Sequence, residues 1–137
     1  MARTEIGEHN VQGIDYAYTL QGWVKSVNAG HKNADMGMDH EKDNVFASDA
    51  FGFSIQYNQN DYEPIGSNND FLIQHSGHSD LYNGNIAAIS LHNQEMTYGR
   101  QYIYDQLNRL TEMNEYNVDE ASKSWDGVMM NGNTSTY

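Results

Sequence analysis

The sequence predicts an all-β protein built from stacked antiparallel hairpins. Residues 16–24 and 102–110 each place Tyr at alternate positions, then Gly or Asn in a short turn, then an apolar residue. A period of two is typical of strands, and Gly and Asn adopt the backbone angles of tight turns most cheaply. Only one Pro and 19% charged residues accompany twelve Gly and ten Tyr, which favours turns joining short strands over helices. Self-similarity of this kind indicates stacked repeats.

Alternation and turn residues define the individual elements. Gln21-Gly22 and Leu107-Asn108 are predicted to turn the two tyrosine hairpins. The strands are expected near residues 12–19, 22–28, 51–58, 82–92, 96–105 and 108–116.

Two further features of the strands can be read from residue spacing. Asn83-Gly84 is the preferred pair for a type I′ turn, with a bulge inside one long strand as the alternative. In the third strand, four apolar side chains fall on one face at strand spacing, namely Phe51, Phe53, Ile55 and Tyr57.

The chain is expected to comprise an N-terminal extension at 1–10, a β region at 11–117 and a C-terminal partial repeat at 118–137. Within the β region, loop excursions are expected at about 29–44 and 58–80. The sequence leaves two points undecided. One is whether residues 43–50 form a short helical turn, and the other is whether residues 118–125 form a brief helix or a loop.

The tyrosine pattern resembles the tyrosine-aspartate (YD) repeat of the bacterial Rhs family, which is related to the shells of insecticidal toxin complexes and to the teneurins. Residues 102–110 look like a complete repeat core, whereas residues 16–24 carry Thr19 where the repeat has Asp. The residue pattern is most similar to that of Rhs-type proteins from Bacteroidetes-like bacteria. The residues matched to the repeat are Tyr16, Tyr18, Gly22, Trp23, Asn83, Gly84, Tyr102, Tyr104, Asp105, Asn108, Arg109 and Leu110.

The resemblance implies a non-catalytic structural role. In this family, many repeats wind into a hollow shell that encapsulates a toxin or another cargo, and the protein is secreted or displayed at the bacterial cell surface. The family's self-cleaving boundary has an Asp-Pro signature, whereas the one proline here, Pro64, follows Glu63. The chain is therefore expected to be a wall segment without the autoprotease or the toxin. Asp105 and Arg109 are expected to link the two arms of their hairpin.

A wall segment of this length exposes strand edges that recruit other strands. Its expected partners are neighbouring repeats of the same or the parent chain, and in isolation it is expected to form a homo-oligomer or a filament. Residues 1–8 contain no apolar stretch that could act as a secretion signal. The export signal of such a protein is therefore expected elsewhere in a longer polypeptide.

Composition and motifs argue against several other functions. A net charge of -12 with seven scattered Lys and Arg residues disfavours nucleic acid and anionic membranes. No apolar run approaches the roughly 20 residues of a membrane helix, so membrane insertion is not expected. The absence of Cys excludes disulfides and thiolate zinc sites. Without a Gly-x-Ser-x-Gly elbow or a recognisable triad, no enzymatic activity is expected.

Two loops contain residues that could bind a cation. His75, His78 and Asp80 have a spacing compatible with a metal site, but a solvated loop is the preferred interpretation. An oxygen-rich calcium loop is the second possibility, although the EF-hand order is missing and an exposed acidic loop is preferred. No cofactor is expected beyond this weak calcium possibility, whose candidate ligands are Asp35, Asp39, Glu41 and Asp43.

The alternative function is an extracellular adhesion or carbohydrate-binding β-module. In that case an exposed Trp23 and several tyrosines would form a platform on one face of the sheet. Cross-strand packing of the tyrosine rings, with each hydroxyl reaching water or a backbone partner, is the preferred interpretation. Buried aromatic rows would support the scaffold, and a coplanar exposed row would support binding.

Overall fold

The computed structural model describes residues 2–8, 12–30, 36, 49–64, 72–73, 75, 77–93, 95–119, 125 and 129–136. These residues form one sheet in which each strand pairs antiparallel with the next strand in the chain. The predicted all-β class with antiparallel hairpins is confirmed. The eight strands are β1 (Ala2–Ile6), β2 (Gln12–Tyr18), β3 (Val24–Val27), β4 (Phe51–Gln56), β5 (Ala88–Asn93), β6 (Thr97–Tyr104), β7 (Leu110–Asn117) and β8 (Met129–Thr136).

Five of the predicted strands match β2, β3, β4, β6 and β7. Two strands at the edges of the sheet were not predicted. β1 lies in the segment assigned as an N-terminal extension, and β8 lies in the segment assigned as a partial repeat. Within the part of the chain that the structure describes, no helix is long and apolar enough to span a membrane.

The prediction for residues 82–92 is wrong in its first half. The strand begins only at Ala88, so Asn83-Gly84 neither turns a hairpin nor forms a bulge inside a strand. A type I′ turn needs positive φ at both central residues. Gly84 has a φ of 87°, but Asn83 is not among the positive-φ residues of the described chain.

One face of the sheet is covered by loops and is lined by small residues. A row of paired positions crosses β2 to β6 on this face, and every residue in it is buried. Its members, in strand order, are Ala17, Ser26, Ser54, Ser90 and Gly99.

The opposite face has larger apolar side chains that remain partly exposed. The adjacent row of paired positions on that face consists of Tyr16, Val27, Phe53, Leu91 and Tyr98. We define these two surfaces as the covered face and the open face.

The predicted apolar face of β4 therefore belongs to the open face. Phe51 is half exposed and Phe53 partly so, although Ile55 and the following Tyr57 are buried. The side of β4 that is buried throughout carries smaller or polar residues, namely Gly52, Ser54 and Gln56.

Apolar residues from the loops complete the core on the covered face. One cluster joins Ala17 of β2 to Met36 and Leu72. A second cluster joins Ala88 of β5 to Ile73 and Trp125. The loop excursions are thus the second layer that the sheet needs to bury one of its faces.

Candidate functional site

The two tyrosine hairpins share the same strand register. β2 pairs with β3, and β6 pairs with β7, and in each hairpin the register shifts by one residue at the second tyrosine. The residue inserted by this bulge is Lys25 in the first hairpin and Thr111 in the second. The corresponding pairs are Tyr16–Val27 with Tyr102–Met113, Ala17–Ser26 with Ile103–Glu112, and Tyr18–Val24 with Tyr104–Leu110.

The turns of the two hairpins also make the same backbone hydrogen bonds. Thr19 N donates to Trp23 O at 2.8 Å, and Asp105 N donates to Arg109 O at 2.9 Å. Gly22 and Asn108 occupy equivalent positions, where the backbone is left-handed with φ of 85° and 60°. This geometry is a turn closed by one left-handed residue, which Gly and Asn tolerate best. The predicted turning role of both residues is confirmed.

The side chain that opens each turn caps it. Asp105 Oδ1 accepts hydrogen bonds from the backbone N–H groups of Leu107 and Arg109, at 2.8 and 2.9 Å. Among the residues that the structure describes, Thr19 Oγ1 accepts a hydrogen bond from the N–H of Trp23 alone, at 3.2 Å. The first hairpin therefore has the same turn as the second, but its capping side chain is uncharged and its capping hydrogen bond is longer.

The expected link between Asp105 and Arg109 is present. Asp105 Oδ2 lies 2.6 Å from Arg109 Nη2 and accepts from Nε at 2.7 Å. The hydrogen bond from the backbone of Arg109, then that from its side chain, lowers the pKa of Asp105. This pair is exposed, so it fixes the geometry of the turn more than it adds stability.

The segment around Asn83 and Gly84 connects the two hairpin tips. Asn83 Nδ2 donates to Asn108 Oδ1 at 2.8 Å, which attaches this segment to the second turn. A Cβ placed on Gly84 would lie 3.2 Å from the ring of Trp23 in the first hairpin. These residues thus join the two tyrosine hairpins, although they do not form the hairpin turn predicted for them.

Tyrosine hydroxyls anchor loop and strand backbones. Tyr57 donates to the carbonyl of Val24 at 2.9 Å, and Tyr104 donates to that of Ile86 at 3.0 Å. Burial, followed by a smaller effect of Tyr102, raises the pKa of Tyr104. For Tyr57 and Tyr104, the predicted backbone partner of the hydroxyl is confirmed.

The aromatic residues of the first hairpin divide between packing and exposure. Trp23 is half-buried against Tyr57, with ring centroids 5.0 Å apart, so it is not the exposed ring that the alternative function would use. Tyr16 and Tyr18 lie side by side with ring planes only 17° apart and centroids 6.3 Å apart. Tyr18 is 44% exposed.

A buried ion pair sits at the bulge of the first hairpin. Lys25 Nζ lies 2.6 Å from Asp61 Oδ1, and the side chains are 6% and 7% exposed. Asp61 Oδ2 also accepts the backbone N–H of Tyr57 at 2.8 Å. Burial lowers the pKa of Lys25, against the opposing effect of Asp61. The Tyr57 pKa is raised by burial and then by Asp61.

His75 and His78 are buried, so the preference for a solvated loop was wrong. The His75 ring stacks on Trp125 with centroids 4.6 Å apart and planes 15° apart. Two glutamines of the sheet hold this loop: Gln56 Oε1 accepts from His75 N at 3.0 Å, and Gln101 Nε2 donates to Gly77 O at 2.7 Å.

Burial affects the pKa of His78 more than any neighbouring charge does. Its pKa is lowered by burial and by Lys25, while Asp80 and Asp61 act in the opposite direction. Both ring nitrogens are buried and make no hydrogen bond within the part of the chain that the structure describes.

The described residues contain no group of three or more His, Asp or Glu side chains placed to hold a metal ion. His75, His78 and Asp80 do not assemble one, since Asp80 Oδ1 instead accepts from Gln59 N at 2.6 Å. The four acidic residues of the calcium alternative lie outside the described residues.

Sequence reasoning missed Lys25, Asp61 and Trp125. A short signal was available for Lys25, because a lysine inside a predicted strand that carries Val24 and Val27 needs a partner if it is buried. Trp125 follows a polar stretch, and nothing near it in sequence indicates that it packs on Gly99.

Searches of family models, curated proteins and solved structures find no match to this chain.

Proposed function

We propose that this chain is a non-catalytic structural segment of a YD-repeat wall that encloses or presents a toxin or another cargo. The observation that supports the proposal is the equivalence of the two tyrosine hairpins. Residues 16–27 and 102–113 share strand register, bulge position, turn hydrogen bonds and a left-handed residue at the same place. One structural unit used twice in one continuous sheet is the organisation of a repeat protein.

The sheet can grow at both ends. In the described part of the chain, β1 and β8 each pair with a neighbour on one side only. Strand edges of this kind accept further strands, either from the next repeat or from another copy. As an isolated chain, the protein is proposed to associate through these edges, at the bacterial surface or in secreted form.

Light scattering coupled to size-exclusion chromatography, with and without calcium, tests this proposal. The expected result is an oligomer that dissociates when the edge strand β1 carries added charge, in the double variant Thr4→Lys and Ile6→Lys. The matched control is Leu20→Lys, because Leu20 is fully exposed but lies at a hairpin tip away from the edge. A monodisperse monomer at all concentrations would contradict edge association.

A carbohydrate-binding module is the second candidate, and the tyrosine pair on β2 favours it. Tyr16 and Tyr18 present near-parallel rings, as a platform for a sugar chain would. A glycan array should then give binding that is lost in Tyr16→Ala/Tyr18→Ala and kept in Tyr82→Ala, whose side chain is 75% exposed elsewhere. Binding that survives the double substitution, or none at all, would rule out this platform.

A further inference from the structure

Lys25 and Asp61 are arranged for a covalent reaction as well as for an ion pair. Lys25 is the residue inserted by the bulge in β3, and bulges commonly redirect a side chain. Its Nζ meets Asp61 Oδ1 at 2.6 Å, with less than a tenth of either side chain exposed. The two residues come from β3 and from the loop after β4, so a bond between them would join two parts of the fold.

We propose that Lys25 and Asp61 form an intramolecular isopeptide bond. This bond is a site of self-modification independent of the wall function and of the glycan platform.

The reaction is a condensation that needs no oxidant, reductant or co-reactant. Proton transfer within the pair gives an uncharged amine and an uncharged carboxylic acid. The Nζ lone pair of Lys25 then attacks Cγ of Asp61, forming the C–N bond. One carboxyl oxygen leaves as water, taking one proton from the nitrogen and one from the acid group. The products are a secondary amide and one water molecule.

The surroundings favour each step of this reaction. Burial lowers the pKa of Lys25, and a desolvated lysine is the activated form of this nucleophile. The hydrogen bond from Tyr57 N to Asp61 Oδ2 holds the carboxyl group in one orientation. A site closed to water also protects the product from hydrolysis.

Intact-mass spectrometry of the purified full chain tests the bond directly. The expected mass is below that of the sequence by one water, and a branched peptide containing residues 25 and 61 should appear after proteolysis. Lys25→Arg keeps the positive charge but removes the nucleophilic amine, so it should show the full mass. Lys123→Arg, at another lysine, should keep the water loss.

Further variants address folding and the leaving group. Asp61→Asn should give the same amide by losing ammonia, whereas Asp61→Ala should show the full mass. Wild-type chain made by chemical synthesis and kept in denaturant, so that it has never folded, should have the full mass and lose water only on folding, which keeps the test valid if Lys25→Arg does not fold. Full mass in the folded wild type, or water loss that persists in folded Lys25→Arg, would overturn the proposal.

Discussion

The two faces of the sheet show that burial and hydrophobicity are separated in this molecule. The open face carries Tyr16, Phe53 and Leu91 in one row and remains partly exposed. The covered face carries Ser54 and Ser90 in the equivalent row and is almost fully buried. Small residues allow loop side chains to approach the sheet closely, so the larger apolar side chains of the two core clusters come from the loops. The core is therefore assembled by contacts distant in sequence.

The largest expected loss of stability comes from removing a loop side chain that covers the sheet. Trp125 is 1% exposed, and Trp125→Ala should lower the free energy of unfolding, by about 3–5 kcal/mol. Phe51→Ala on the open face is the matched control, because Phe51 is 50% exposed. Its cost should be about 1 kcal/mol, since less apolar area leaves solvent there. Urea denaturation measures the stability of both variants. Equal losses of stability would contradict the difference between the covered and the open face.

Adding one methyl group under Trp125 should have the next largest effect. A Cβ at Gly99 would lie 2.6 Å from the indole ring. Gly99→Ala should therefore cost about 1–3 kcal/mol through overpacking. In a Trp125→Ala background the same substitution should cost much less, because the clash is gone. Urea denaturation measures the stability of each variant in this double-mutant cycle. Additive losses of stability would show that the contact between residues 99 and 125 does not matter.

The serine pair in the covered row should have a smaller, coupled effect. Ser54 Oγ and Ser90 Oγ lie 2.6 Å apart, and both residues are buried. Either single substitution to Ala leaves one hydroxyl without its partner and should cost about 1 kcal/mol or somewhat more. The double substitution should cost less than the sum of the two. Chemical denaturation of the three variants decides this, and a double variant that loses the full sum would refute the pairing.

Acid should weaken the covered face before it affects the hairpin turns. The pKa of His78 is lowered in the folded state from 6.5, so its neutral form supports folding above pH 6.5. That contribution is lost as the pH falls from 6.5 through the lowered pKa. The pKa of Asp105 is lowered from 3.8, so its contribution persists until more acidic pH.

Thermal unfolding at a series of pH values measures this difference. His78→Gln should flatten the decline just below pH 6.5, and Asp105→Asn should leave that range unchanged. A wild-type curve that is flat between pH 6.5 and the acid range of carboxylates would contradict a role for His78.

The sequence was sufficient to predict five of the strands and the turns of the two tyrosine hairpins. Alternating tyrosines and the turn residues Gly22 and Asn108 are local signals, and their geometry depends on neighbours in the chain. The same logic failed at Asn83-Gly84, where the preferred turn dipeptide connects two hairpin tips instead of two strands. Tertiary contacts decided its conformation.

The covered face could not be predicted from single residues. The burial of His75 and Trp125 depends on small residues from several strands standing in one row. A partial signal exists, because Gly52-x-Ser54, Ser90 and Gly99 place small residues at alternate strand positions. Interpreting that pattern requires the register, which only the assembled sheet supplies.

The strand order has a consequence for how the protein folds. Because each strand pairs with its sequence neighbour, β5, β6 and β7 can zip together through short turns with little loop-closure entropy. β3 and β4 must first close the long connection between Val27 and Phe51, and their pairing involves only two registered positions. The C-terminal half of the sheet is therefore expected to form early and to act as the template on which the N-terminal strands condense.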